Sequence, residues 1–140
     1  MKYLMEPAPI FSLTGDPLFR IIALKDFADV RKGDLGGFVS TSDNLSQEGN
    51  CWVYGNARVF QHAKVSGDAR ITGNTLIYGY AQITGKVLIH GNVQVFGDAK
   101  LTGAIRLWGN ALVSRTPTVS TNGLHTDTHV FKGLTSCAIS

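Results

Sequence analysis

At 140 residues, 44% hydrophobic and 16% charged with a net charge of +3, the chain has the size and polarity of one domain with a narrow core. It holds no apolar run of about 18 residues, and its start, MKYLMEPAPIF, lacks the basic region and long apolar stretch of a secretory leader, so the cytoplasm is the expected location and no membrane contact is expected. Two cysteines are too few for a disulfide framework.

Residues 1–34 read as an N-terminal cap. Within it, residues 18–27 (LFRIIALKDF) are predicted to form a strand entering a short turn, and Gly33-Asp34-Leu35-Gly36-Gly37-Phe38-Val39 punctuates and restarts the chain. Leu35, Val39 and Leu45 are read as carrying the core aliphatic position of an irregular first coil, which the cap shields from edge-to-edge pairing. Cys51 takes an inward corner position, and its plain reading is a buried free thiol.

From residue 53 to residue 112 one six-residue phrase recurs ten times without insertion: aliphatic, variable, usually Gly, variable, usually Ala, variable. The aliphatic positions are Val53, Val59, Val65, Ile71, Ile77, Ile83, Ile89, Val95, Leu101 and Leu107, continued by Val113. Most are β-branched and favour strands. The Gly two places later supplies backbone angles that a Cβ disfavours, so each hexad is one short strand plus one turn. An unbroken period of this kind predicts a solenoid, in which each unit buries its apolar side by stacking on its neighbours.

Residues eighteen apart fall into matching columns. Phe60, Tyr78 and Phe96 form one, Ser66, Thr84 and Thr102 a second, and Tyr54, Thr72, His90 and Trp108 a third, while Asn56, Asn74, Asn92 and Asn110 share one corner. Three hexads therefore make one triangular coil, giving an all-β, single-domain parallel β-helix of about 4–5 coils over residues 35–118. At the usual strand spacing of about 4.8 Å these columns become ladders. After Val113 the phrase decays through Arg115-Thr116-Pro117, and residues 119–140 read as a short tail.

Charge is distributed unevenly. Residues 1–52 carry five bases and seven acids, whereas residues 53–115 carry seven bases and two acids. Spaced cations on a solenoid read first as solvation and second as attraction for an anionic ligand. Nucleic acid is not an expected partner, because no finger, helix-turn-helix or RNA-recognition signature occurs.

The three faces differ. The face bearing Phe60, Leu76, Tyr78, Phe96 and Leu112 presents apolar groups outward and is read as a homo-oligomer interface, trimeric or dimeric, with a folded-back tail as the rival cover. A second exposes Lys64, Ser66, Gln82, Thr84, Lys100 and Thr102 and reads as solvent-facing. The third carries Tyr54, Arg70, His90, Arg106 and Trp108, rings and cations suited to an anionic, ring-bearing small molecule, with ordinary surface decoration as the alternative. His62 and His90 are the candidates for a general base, with no carboxylate placed by sequence to orient either ring. In the tail, His125, Asp127 and His129 are the candidates for a metal site, with a chance pattern in a short polar stretch as the alternative.

The hexads resemble those of hexapeptide-repeat proteins of the left-handed parallel β-helix class. The handedness comes from that resemblance, since the general rule for parallel crossovers is right-handed. More narrowly, residues 18–59, LFRIIALKDFADVRKGDLGGFVSTSDNLSQEGNCWVYGNARV, resemble the cap and first coils of a group from enterobacteria and their phages that is often labelled as transferases. The resemblance implies acyl transfer from a coenzyme A thioester, with a His as general base in a cleft between subunits and a loop extruded over the donor. Ten uninterrupted hexads lack such a loop. Three function classes follow. The first is a non-catalytic binding or interaction protein, phage- or prophage-encoded by the resemblance, that sequesters a nucleotide-like ligand or blocks a host protein and needs no cofactor. The second is a coenzyme A-dependent acyltransferase, and the third a purely structural spacer. The uninterrupted coils and the aromatic face favour the first.

Overall fold

In the computed structural model, the described residues are 1–110, 112–114, 119–121 and 130–132. The strands run β1 (Tyr3–Phe11), β2 (Pro17–Ala23), β3 (Leu35–Val39), β4 (Trp52–Val53), β5 (Arg58–Val59), β6 (Lys64–Val65), β7 (Arg70–Ile71), β8 (Leu76–Ile77), β9 (Gln82–Thr84), β10 (Leu88–Ile89), β11 (Gln94–Phe96), β12 (Lys100–Gly103), β13 (Arg106–Leu107), β14 (Leu112–Ser114), β15 (Val119–Thr121) and β16 (Val130–Lys132). They form three parallel sheets, one per face: β3-β5-β8-β11-β14-β16, β4-β7-β10-β13 and β6-β9-β12-β15. Every expected aliphatic position from Val53 to Val113 is buried. The molecule is thus a three-sided β-solenoid, and no helix of the described residues is long and apolar enough to cross a membrane.

Register follows the columns. Val59 pairs with Ile77, Ile77 with Val95 and Val95 with Val113, each eighteen residues on. The third residue of every hexad from 55 to 109 has a positive φ, including Gln61 (φ 56°), the one position of that series not filled by Gly. Pairing continues past residue 118: Leu101 pairs with Val119 and Val113 with Phe131, so two stretches of the expected tail extend the parallel sheets in unchanged register. The tail strands add to the stack because the eighteen-residue frame persists there after the Gly and Ala signals fade.

The first coil departs from that frame. Val39 pairs with Val59 and Leu45 bridges to Val65, each twenty residues apart. Two extra residues therefore lie in the corner between Leu45 and Val53. Val39 and Leu45 fill core positions, whereas Leu35 is 60% exposed, contrary to expectation, because it lies at the start of β3, before the strand turns inward.

Residues 1–23 form a hairpin rather than the single expected strand. β1 pairs antiparallel with β2, and β2 with β3, so the hairpin extends the aromatic-face sheet at the N-terminal end. Its start is clamped by the enlarged corner. The Gln47 side-chain oxygen accepts from the backbone N–H groups of Lys2 (2.7 Å) and Tyr3 (3.1 Å), and its amide nitrogen donates to the Tyr3 carbonyl (3.2 Å). Tyr3, Phe27 and Trp52 plug the end of the core edge-to-face, with ring centroids 6.2 Å and 5.2 Å from Trp52.

The buried Tyr3 hydroxyl donates to the Leu45 and Ser42 carbonyls. Burial, with Cys51 and Asp43 nearby, pushes its pKa up to about 12 from 10.0. A hydroxyl so shifted lends its full stability below pH 10 and loses it as pH rises through about 12. Tyr3→Phe is expected to lower stability by about 1–2 kcal/mol at neutral pH and to make the alkaline decline shallower. Urea unfolding midpoints at neutral and strongly alkaline pH check this.

Candidate functional site

A cleft of about 640 Å³ opens where the β1–β2 turn meets two successive corners of the solenoid, lined by Asp16, Pro17, Ser40, Thr41, Asp43, Gln61, His62 and Lys64. Each wall is built locally. Asp16 sits in a turn closed by its own carboxylate, which accepts from the hydroxyls of Ser12 (3.1 Å) and Thr14. Thr41 caps the short 3-10 turn Ser42–Asn44, its hydroxyl accepting from the Asp43 N–H (3.3 Å). Behind these residues the fully buried Asn44 accepts from Ser40 and Thr41 and donates to the carbonyls of Gln61 and Ala63.

Gln61 explains its own exception to the Gly rule. Its side-chain oxygen accepts the Gly79 N–H at 2.9 Å, a bond across coils that offsets the left-handed backbone. His62 follows on the same corner. Its ring lies exposed and stacks on Tyr80 in the next coil, with centroids 4.8 Å apart and planes 12° apart. The cleft thus gathers two carboxylates, two hydroxyls, an amide, an ammonium and an imidazole beside a ring stack that includes the 61% exposed Tyr80. Such a set can hydrogen-bond a small polar molecule on several sides while His62 accepts a proton from it. No carboxylate hydrogen-bonds the His62 ring among the described residues.

Of this site the sequence singled out His62 alone. Its neighbours come from positions 16–17, 40–43 and 61–64: the last two stretches meet by coil stacking and through Asn44, and the hairpin turn adds the first. The visible signal was Gln61, the one Gly position replaced, directly before His62.

The mixed face is divided by the cap. The Tyr54 hydroxyl donates to Asp29 at 2.7 Å, and Arg70 lies 3.6 Å from the same carboxylate oxygen. The Tyr54 hydrogen bond, with Arg70 close by, holds the Asp29 carboxyl below its ordinary range, and burial with Asp29 pushes the Tyr54 hydroxyl upward. Farther along, His90 stacks on Trp108 at 6.4 Å and 11°, and Arg106 is exposed. Of the five residues expected to share one ligand, Tyr54 and Arg70 meet at Asp29, and His90, Trp108 and Arg106 follow on the next coils of the same face. Since Arg70 and Asp29 are 46% and 55% exposed, Asp29→Ala is expected to cost less than about 1 kcal/mol by urea unfolding.

On the aromatic face the ladder forms, with Phe60 to Tyr78 at 5.0 Å and Tyr78 to Phe96 at 5.3 Å, both near-parallel. Phe60, expected to face outward, is fully buried, because Leu18 and Phe38 pack on it with Ala8 and Ile10 alongside. The chain's own hairpin covers the first rung, leaving Leu76, Tyr78, Phe96 and Leu112 partly exposed. His125, Asp127 and His129 lie outside the described residues, and among those described no three His, Cys, Asp or Glu side chains gather as metal ligands.

No protein-family profile matches the chain. One curated relative, the uncharacterized acetyltransferase YdcK of Escherichia coli (strain K12), is 49% identical over 51 residues, which is 36% of this chain and 16% of the relative. The chain therefore matches well under two thirds of that protein's length. The stacked hexads and this partial likeness fit a hexapeptide-repeat, acyltransferase-like protein.

Proposed function

We propose that the chain is a β-solenoid binding protein that holds a small polar ligand in the cleft between the hairpin turn and the first corners. The cleft itself carries this reading, because its polar lining converges from three separate segments. Native mass spectrometry of the purified chain tests it. A co-purified small molecule is expected, lost in Thr41→Arg, which fills the cleft from an exposed position. Retention of the same ligand in that variant would remove the reading. The same spectrum reports subunit number, and so tests a trimer or dimer assembled through Tyr78, Phe96 and their partly exposed neighbours. Capture of an anionic nucleotide through His90, Arg106 and Trp108, or of a host protein, is a weaker form of the binding reading, because Asp29 already occupies Tyr54 and Arg70.

A second reading is acyl transfer, favoured by the place of His62 in the cleft and by the name of the matched relative. Here His62 takes the proton of a ligand hydroxyl or amine as it attacks a coenzyme A thioester, and the freed thiol leaves with that proton. His62→Ala is expected to lower thiol release from acetyl-coenzyme A, measured with amine and polyol acceptors, by about 10²–10⁴-fold. An unchanged rate would exclude His62 as the base.

A further inference from the structure

Lys2 and Cys51 are 1% and 0% exposed, and neither takes part in the cleft. The Lys2 Nζ lies 3.3 Å from the Cys51 Sγ. It is held there by the Cys51 carbonyl at 2.8 Å and by the carbonyls of Glu48 and Gly49 at 3.3 Å, all supplied by the enlarged corner. The Phe27 ring lies 5.2 Å from Nζ. From its own side the thiol faces the carbonyls of Ser46, Glu48 and Val65 at 3.6–3.8 Å. Burial lowers the Lys2 amine and raises the Cys51 thiol, each toward its uncharged form, against a weaker mutual attraction of their charged forms. Lys25 opposes the charge on Lys2 and Asp68 favours it.

We propose that Lys2 and Cys51 form a redox-sensitive covalent cross-link in which a single oxygen atom bridges Nζ and Sγ. Molecular oxygen is the oxidant. The thiol loses its hydrogen, the neutral amine loses one, and one oxygen atom forms new bonds to sulfur and to nitrogen. The other oxygen leaves as water with the two hydrogens. Sulfur and nitrogen each give up two electrons, which together reduce the oxygen molecule. A thiol reductant returns those electrons and restores the separate side chains. An oxygen bridge suits this contact because the two atoms are already adjacent, and a link of two bonds asks for less closure of the corner than a direct sulfur–nitrogen bond would. The link would fasten the start of β1 to the corner before β4, so the hairpin could not lift from the first coil.

The test exposes the full chain to oxygen-saturated buffer, then measures intact mass and maps peptides without reduction. The expected result is a mass gain of one oxygen less two hydrogens, carried on a peptide joining residues 2 and 51 and reversed by dithiothreitol. The thermal midpoint should rise by roughly 5–10 °C in the oxidised form and fall back on reduction. Cys51→Ser and Lys2→Arg should both lack the mass change. Unlinked peptides with whole oxygens added at Cys51, an unmodified Cys51, or the same mass change in Lys2→Arg would each overturn the proposal. The wild-type peptide map decides by itself if either variant fails to fold.

Discussion

Gly73→Ala is expected to destabilise the protein by about 4 kcal/mol, whereas Gly55→Ala, the same change at the same place in the repeat, costs about 1–2 kcal/mol. Both residues have positive φ, 75° and 59°, so each alanine carries the left-handed backbone penalty. What separates them is the neighbouring coil. A Cβ on Gly73 would lie 2.6 Å from the Gly91 carbonyl oxygen and 2.7 Å from its nitrogen, both backbone atoms that cannot swing aside, while a Cβ on Gly55 meets nothing within 4 Å. The excess loss at Gly73 is therefore a measure of how tightly corners stack, which in a solenoid is the nearest-neighbour part of its stability. Urea unfolding of the two variants checks the difference. Equal losses would mean that the Gly positions serve backbone conformation alone and that the corners open without cost.

The parts of this fold written in the sequence are those where one physical requirement recurs. The aliphatic positions from Val53 onward had to be buried and the third hexad positions had to reach positive φ, so the three sheets and the Phe60-Tyr78-Phe96 stack are legible in the eighteen-residue columns. The cap had no period to reveal it. The hairpin is held by single long-range bonds such as Gln47 to Lys2 and Tyr3, and a side-chain amide at position 47 carries no sign of what it will clamp. The two-residue insertion before Cys51 was likewise hidden, because Leu45 and Val39 suit a core whichever spacing applies. These same elements decide the candidate sites. The hairpin buries Phe60, which removes one rung from the aromatic face, and its turn brings Asp16 to His62. Asp29, an exposed acid in an irregular loop, divides the mixed face by engaging Tyr54 and Arg70. A periodic sequence thus reports its scaffold directly, while the cleft depends on one-off contacts between the scaffold and its cap.

Asn44→Ala tests that dependence, with an expected loss of about 3–4 kcal/mol. The side chain is fully buried and every one of its polar atoms is used. Its oxygen accepts from the Ser40 N–H, the Ser40 hydroxyl and the Thr41 N–H, each at 2.9 Å. Its nitrogen donates to the Gln61 carbonyl at 3.1 Å and the Ala63 carbonyl at 2.8 Å. Alanine removes the Asn44 partner of the Thr41 N–H and of the Gln61 and Ala63 carbonyls and leaves the Ser40 N–H its 3.2 Å bond to the Val59 carbonyl, whereas Asn44→Asp keeps the acceptor but turns a carboxylate oxygen toward two carbonyls, so it is expected to be no milder. Asn92→Ala is the matched control: among the described residues its exposed amide bonds to Asn110 at 3.2 Å, and the change should alter stability by less than about 0.5 kcal/mol. The consequence reaches the site, because Ser40, Thr41 and Gln61 all line the cleft and are all held by Asn44. Amide exchange should therefore quicken at Ser40 and Thr41 in Asn44→Ala before the rest of the solenoid loosens, and a variant that unfolds only globally would show that the cleft is set by the stack and not by this one buried amide.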